Sequence, residues 1–321
     1  MGSMAKSPYP PGIHVPSLTW FTSDGTQSVD WDLQERHIEF LVRSGVHGIV
    51  IAGTNGEAAT LIPEEKSRLV RLTRTTAQKL GRPDLPITCG TFGGCTQAII
   101  QDTKLSAESG ADFALVLVPS FFHFALDSGA IIGFFQEVAT ASPIPLIIYN
   151  FPGVAAGLNV NSEMLETLGE HPNIAAVKLT CGSIASVART AAKFGRALNG
   201  NPDFVALAGQ SEWLVPCLSV GGAGCITGVG NLYPKACVEL YNLYTSGQTT
   251  KAEQLQLQVA VSEWGFGKEG ISGTKWVVAK CLGYPEESAW CRRPYPKFLN
   301  EEKRAWVAKH VKALEKAEGE L

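Results

Sequence analysis

An eightfold alternation of short apolar runs and helical patterns constrains the fold of this chain more than any other feature of its sequence. Strict alternation of this kind predicts a parallel sheet covered by helices, and eight units match a (β/α)8 TIM barrel, an α/β fold. A doubly wound open sheet is the alternative, but the GxGxxG turn typical of its first strand is absent. The predicted strands begin at Ile13, Gly48, Pro86, Phe113, Pro145, Ile174, Phe204 and Gly224.

Beyond Pro234 the pattern becomes entirely helical, which predicts a C-terminal helical extension over residues 248–321. The barrel itself is predicted over residues 13–247. Residues 1–12 form an N-terminal segment whose first three residues look like a cloning remnant. The predicted helices of the last quarter are Lys235–Thr245, Thr250–Ser262, Gly273–Cys281 and Glu301–Glu318.

Composition excludes several classes of protein. A net charge of -3 lacks the basic excess of a nucleic-acid-binding protein, and no apolar stretch has the roughly 18 residues that would predict a membrane span. Eight cysteines without a CxxC pair are typical of reduced thiols in a cytoplasmic protein. The six histidines form no metal-binding motif, so we expect no metal.

One lysine lies in a segment that would normally exclude it. Residues 174–180 read IAAVKLT and predict a buried strand that carries Lys178. Burial disfavours the charged form of an amine and leaves a nucleophile suited to Schiff-base chemistry with a ketone. The alternative is a lysine whose stem lies along the strand end while its ammonium group reaches solvent.

Two further motifs follow predicted strands, where the catalytic groups of such barrels lie. Residues 53–57 read GTNGE, and Gly53, Thr54 and Asn55 could bind a carboxylate through backbone N–H groups and side chains. Residues 149–153 read YNFPG, in which Tyr149 could move protons. A plain glycine-rich turn and a tyrosine that only packs its ring are the alternatives.

Together, GTNGE, YNFPG and VKLT resemble the dihydrodipicolinate synthase and N-acetylneuraminate lyase superfamily, which are pyruvate-handling class I aldolases, over nearly the whole chain. The resemblance implies that Lys178 forms an imine with substrate, so that no separate cofactor is needed. It implies that Tyr149 and Thr54 act in proton transfer, and that Thr54 and Asn55 hold the carboxylate of a 2-oxo acid. The remaining pocket positions that it implies are Gly53, Thr180, Gly209 and Ile226.

Two positions depart from the pattern of dihydrodipicolinate synthase. Val154 occupies the place of the arginine that binds the carboxylate of the aldehyde substrate. Phe122 occupies the place of a tyrosine that completes a proton relay across a subunit interface. Both positions are expected to face the aldehyde half of the substrate. His123 could replace the relay tyrosine, with an ordinary loop histidine as the alternative.

Asn55 in place of a second threonine resembles 4-hydroxy-2-oxoglutarate aldolase, as do the segments LAGQSEWLV and GAGCITGVG, and fungal 2-keto-3-deoxy-sugar-acid aldolases are equally similar. This resemblance implies a lyase that cleaves a 4-hydroxy-2-oxo acid to pyruvate and an aldehyde, with small molecules as partners and a homo-oligomer such as a homotetramer as the assembly. Dihydrodipicolinate synthase is the first alternative, and a catalytically silent barrel that binds 2-oxo acids is the second. A phosphate-binding barrel enzyme is a third, suggested by the glycines of residues 221–230.

Overall fold

Eight parallel strands close into a barrel in the order β1 to β8, which confirms the predicted TIM barrel. The computed structural model describes residues 8–200 and 202–321, so the predicted cloning remnant lies outside the described residues. Every strand begins within one residue of its predicted start. The strands are β1 (Gly12–Pro16), β2 (Gly48–Ile51), β3 (Ile87–Thr91), β4 (Phe113–Leu117), β5 (Leu146–Asn150), β6 (Ile174–Leu179), β7 (Val205–Ala208) and β8 (Gly224–Ile226).

Helices cover the outside of the barrel, and polar side chains fix where several of them begin. The side chain of Asp30 accepts a hydrogen bond from the backbone N–H of Leu33 in the first turn of α1, and Ser183 accepts one from Ser186 in α6. The outer helices are α1 (Trp31–Arg43), α2 (Pro63–Lys79), α3 (Thr96–Glu108), α4 (Ser128–Ala141), α5 (Ser162–Gly169), α6 (Ile184–Phe194), α7 (Leu214–Ser219) and α8 (Pro234–Thr245).

Four more helices follow the barrel: α9 (Thr249–Gly267), α10 (Gly270–Leu282), α11 (Glu301–Val311) and α12 (Glu315–Gly319). The prediction of one continuous last helix over Glu301–Glu318 was wrong, because a 3-10 turn at Lys312–Leu314 interrupts it. Contacts with two other helices accompany the interruption. The carbonyl of Val311 accepts a hydrogen bond from Ser262, and the carboxylate of Glu318 turns to cap the backbone N–H groups at the start of α8.

Every strand except the end of β4 is buried along its whole length, as expected for a parallel sheet with side chains inside and helices outside. The floor of the barrel is closed by Tyr9, whose hydroxyl contacts His14 at 3.0 Å and Thr88 at 3.2 Å. The opposite end, where the strands run into their loops, stays open. In the described ranges no helix is long and apolar enough to cross a membrane.

Candidate active site

Lys178 is buried inside the barrel rather than extended to solvent. Lys178 lies on strand β6 and is only 5% exposed. In the register of the sheet Lys178 pairs with Tyr149 on β5, and its Nζ lies 4.3 Å from the centre of the Tyr149 ring. The structure therefore brings these two predicted residues together and rules out the exposed alternative for the lysine.

Tyr149 connects the lysine to the loop after β2. Its ring is 1% exposed, and its hydroxyl lies 3.0 Å from Oγ1 of Thr54, which is 95 residues away in sequence. Either hydroxyl can be the donor, so a proton can pass between them. Lys178, Tyr149 and Thr54 thus form a continuous group of an amine, a phenol and an alcohol at the open end of the barrel.

The GTNGE loop forms a tight turn at the same end. Hydrogen bonds close the turn from Glu57 N–H to the Thr54 carbonyl and from Ala58 N–H to the Gly53 carbonyl, at 3.0 and 3.3 Å. Among the described residues, no protein group accepts a hydrogen bond from the backbone N–H groups of Thr54 and Asn55. Two free donors beside a buried amine suit a carboxylate.

Glu57, the last residue of the GTNGE motif, does not line the cavity. Glu57 has a left-handed backbone, with φ of 56°, and its side chain is directed away to the C-terminal helices. There it binds Nζ of Lys275 at 2.7 Å and the backbone N–H of Arg292 at 2.8 Å. Both charged side chains of this ion pair are fully buried. The motif therefore combines cavity residues with a structural anchor.

A cavity of about 230 Å³ lies over these groups at the mouth of the barrel. The predicted positions Thr180, Gly209 and Ile226 line it together with Lys178, Tyr149, Thr54 and Asn55. Gly209 is required sterically, because a Cβ there would lie 2.3 Å from Oγ1 of Thr180. That Oγ1 is buried and has no protein hydrogen-bond partner in the described part of the chain, so it is free for a ligand. Gly53, the first residue of the loop, is buried and does not line this cavity.

The other two predicted substrate-binding positions lie elsewhere. Phe122 is 57% exposed and lines a separate surface cavity with Phe121. Val154 is 40% exposed and is not part of the lining of the cavity over Lys178. His123 is exposed as well, and its Nδ1 contacts the carbonyl of Ser120. Within this chain, the structure does not bring these three residues to the amine.

The far wall of the cavity comes from α9 and α10, which sequence reasoning did not connect to the site. Glu263 is the charged residue among them. Burial raises its pKa from 4.5 to about 7, against hydrogen bonds from Ser211 and Thr227 that lower it. A glutamate in the largely apolar end of a helix was the available signal. The wall residues from these helices are Glu263, Phe266, Gly267, Gly270, Ile271 and Thr274.

No group of three or more metal-binding side chains occurs within residues 8–200 and 202–321. The chemistry that the cavity can perform follows from its own groups. It holds an amine that can attack a carbonyl carbon, a phenol and an alcohol that can exchange protons, and free N–H groups that can bind an anion.

Comparison with known proteins agrees with this geometry. Over 302 residues the chain is 37% identical to the probable mitochondrial 4-hydroxy-2-oxoglutarate aldolase of Emericella nidulans, covering 94% of both chains. It is 33% identical to the L-threo-3-deoxy-hexylosonate aldolase of Hypocrea jecorina, covering 91% of this chain and 92% of that protein.

A solved structure and a family model also match this chain over nearly its whole length. The crystal structure of a putative dihydrodipicolinate synthase family protein from Coccidioides immitis superposes with a TM-score of 0.87 at 34% identity, covering 99% of this chain and 100% of that one. The model of the dihydrodipicolinate synthetase family matches residues 10–314. The chain belongs to the dihydrodipicolinate synthetase family.

Proposed function

We propose that this protein is a class I aldolase, a lyase that cleaves a 4-hydroxy-2-oxo acid to pyruvate and an aldehyde through an imine on Lys178. The observation that carries the proposal is the buried amine of Lys178 against the ring of Tyr149, whose hydroxyl reaches Thr54. The names of the two fungal relatives, both aldolases, support the same class of reaction.

The reaction begins when the amine of Lys178 attacks the C2 ketone. Water leaves, and the protonated imine that results can accept an electron pair. Tyr149, through Thr54, takes the proton of the C4 hydroxyl while the bond from C3 to C4 breaks, which releases the aldehyde. The enamine left on the lysine gains a proton at C3, and hydrolysis of the imine releases pyruvate and restores the amine.

Substrate orientation follows from the free donors of the GTNGE loop. The backbone N–H groups of Thr54 and Asn55 hold the carboxylate next to the ketone, which places C2 over Lys178. The substrate is either 4-hydroxy-2-oxoglutarate or a 2-keto-3-deoxy sugar acid. Condensation of pyruvate with aspartate semialdehyde is the alternative, and the resemblance disfavours it because Val154 stands where dihydrodipicolinate synthase has a carboxylate-binding arginine.

Assembly and location belong to the same proposal. We infer a homo-oligomer, because Phe121, Phe122 and Phe124 form an exposed aromatic cluster on the loop after β4. A homotetramer is the specific prediction, and sedimentation velocity would test it. The cytoplasmic location stays a prediction, while the name of the Emericella relative includes the word mitochondrial. Fractionation of the source cells would decide between these compartments.

The test is a pyruvate-release assay over 4-hydroxy-2-oxoglutarate and a panel of 2-keto-3-deoxy sugar acids, run beside the condensation reaction. Borohydride with pyruvate should reduce the imine and attach the three-carbon unit to Lys178, which peptide mass spectrometry locates. Lys178→Ala should lose both trapping and cleavage. Lys104→Ala, at an exposed lysine on α3, is the matched control and should keep both. Cleavage by Lys178→Ala at the rate of the unmodified enzyme would refute the proposal.

A further inference from the structure

Glu263 on α9 is the buried carboxylate of the cavity wall, and the proposed reaction does not use it. Glu263 is 7% exposed, and none of the described residues places a cation within ion-pair distance of its carboxylate. Its contacts are instead the hydroxyl of Ser211, the backbone N–H of Ser211 at 2.7 Å and the hydroxyl of Thr227 at 3.2 Å. A buried carboxylate without a cation is costly unless hydrogen bonds compensate it, as they do here.

Those two partners belong to two different loops of the active site. Ser211 directly follows Gly209 and Gln210, which line the cavity after β7. Thr227 stands between Ile226 and Gly228, which line the cavity after β8. The two hydroxyls also contact each other at 3.0 Å. One carboxylate thus binds both loops at the residues next to those that face the substrate.

A second side chain of α9 holds the same segment. Gln256, seven residues before Glu263, donates to the carbonyl of Ser211 at 2.9 Å and accepts from the backbone N–H of Val215 at 2.8 Å. Residues seven apart share one face of a helix, so α9 presents both polar groups to the same stretch of chain. The loop after β7 is therefore fixed from the C-terminal helices rather than by the barrel alone.

We propose that Glu263 is a positioning residue that holds the loops after β7 and β8 in place, so that helix α9 sets the affinity of the cavity for its substrate. The inference rests on the proposed aldolase function. Glu263 acts through Ser211 and Thr227, which keep Gly209 and Ile226 at the surface of the cavity. Its loss should weaken substrate binding more than it slows the chemical step on Lys178.

The charge state of Glu263 gives the proposal a distinctive readout. The ionised carboxylate accepts these hydrogen bonds as a charged group, and protonation weakens them because hydrogen bonds to a neutral acceptor are weaker than those to a charged one. The titratable groups near it are Glu212 on the loop after β7, Cys225 on β8 and Cys237 on α8. Burial raises the pKa of both thiols, so Cys225 and Cys237 stay neutral near pH 7. Affinity should therefore fall as Glu263 is protonated below about pH 7.

The experiment compares Glu263→Ala and Glu263→Gln, with Glu253→Gln as the control for removal of an exposed carboxylate from the same helix. Glu263→Ala should raise KM about tenfold or more and change kcat less than threefold, since a lost hydrogen bond to a charged group costs one to two factors of ten. Glu263→Gln keeps one acceptor for the Ser211 N–H but is neutral like the protonated carboxyl, so its KM near pH 7.5 should lie between the KM values of the unmodified enzyme and of Glu263→Ala. Its KM should also lose the inflection near pH 7 that the unmodified enzyme shows.

Trapping keeps the two proposals separate. The pyruvate concentration that half-saturates borohydride trapping needs no turnover, and it should rise in Glu263→Ala while Glu253→Gln stays unchanged. If the unmodified enzyme traps pyruvate but cleaves no substrate, the aldolase proposal fails and this comparison still stands. An unchanged KM and half-saturation in a folded Glu263→Ala would overturn the positioning role. If Glu263→Ala does not fold, a KM inflection near pH 7 that persists in Glu263→Gln would overturn it equally.

Discussion

The buried ion pair between Glu57 and Lys275 joins the GTNGE loop to α10, and Lys275→Met tests its importance. Both side chains are 0% exposed, and Nζ lies 2.7 Å from Oε1 of Glu57 and 3.2 Å from the carbonyl of Trp290. Methionine fills a similar volume without charge. It leaves the carboxylate of Glu57 with the backbone N–H of Arg292 as its remaining partner from this cluster.

Removal of one partner from a buried pair costs about 3–5 kcal/mol of unfolding free energy, because the other charge stays buried and uncompensated. An unfolding entropy of about 2.1 cal/mol/K per residue amounts to about 0.7 kcal/mol/K for this chain of 321 residues. The melting temperature of Lys275→Met should therefore fall by about 4–7 °C. Scanning calorimetry or circular dichroism at one protein concentration and one scan rate measures this.

Two controls separate charge from packing. Lys303→Met breaks the ion pair with Glu269, in which the lysine side chain is 54% exposed, and should cost less than about 1 kcal/mol. The double variant Glu57→Gln with Lys275→Met removes both charges of this pair and should recover more than half of the lost stability. A melting temperature for Lys275→Met equal to that of Lys303→Met would refute the reasoning, as would a double variant less stable than Lys275→Met.

Three further outcomes follow from the same structure. Tyr149→Phe should lower kcat about 100- to 10,000-fold while borohydride still traps pyruvate, and an unchanged kcat would show that the phenol only packs. Gly209→Ala places a Cβ 2.3 Å from Oγ1 of Thr180 and should lower kcat/KM at least about tenfold in steady-state assays; full activity would contradict the close approach. Burial lowers the pKa values of His14 and His37 from 6.5 to about 4, so the unfolded chain binds more protons between these values. Stability should fall as pH drops from 6.5 to 4, by about 3 kcal/mol for each histidine, and a melting temperature independent of pH in this window would contradict it.

The barrel and the central site could be predicted from the sequence because both depend on local patterns. Alternation fixes the strands, and the register of neighbouring parallel strands places Tyr149 beside Lys178. The long contacts could not be predicted in this way. Glu263 meets Ser211 across 52 residues and Lys275 meets Glu57 across 218 residues, and no periodicity in the chain signals either contact.

Phe122 and Val154 are positions at which the resemblance to a family did not predict where the side chain lies. The resemblance placed them near the aldehyde half of the substrate, yet a motif position does not specify where a loop side chain points. In the structure both residues lie outside the cavity over Lys178. Phe122 belongs to the exposed aromatic cluster after β4, where burial requires a second surface. Its part in substrate binding therefore stays a prediction that depends on the assembly.

The C-terminal helices α9 and α10 form one wall of the candidate active site, so they are more than an appendage to the barrel. Two buried carboxylates connect them to its loops, and the two contacts run in opposite directions. Glu57 reaches from the GTNGE loop into the helices to bind Lys275, whereas Glu263 reaches from the helices to the loops after β7 and β8. Without the helices, Glu57 would lose its cation and Ser211 would lose the acceptor of its backbone N–H. Because both loops take buried hydrogen-bond partners from these helices, the mouth of the barrel depends on the helices for its shape.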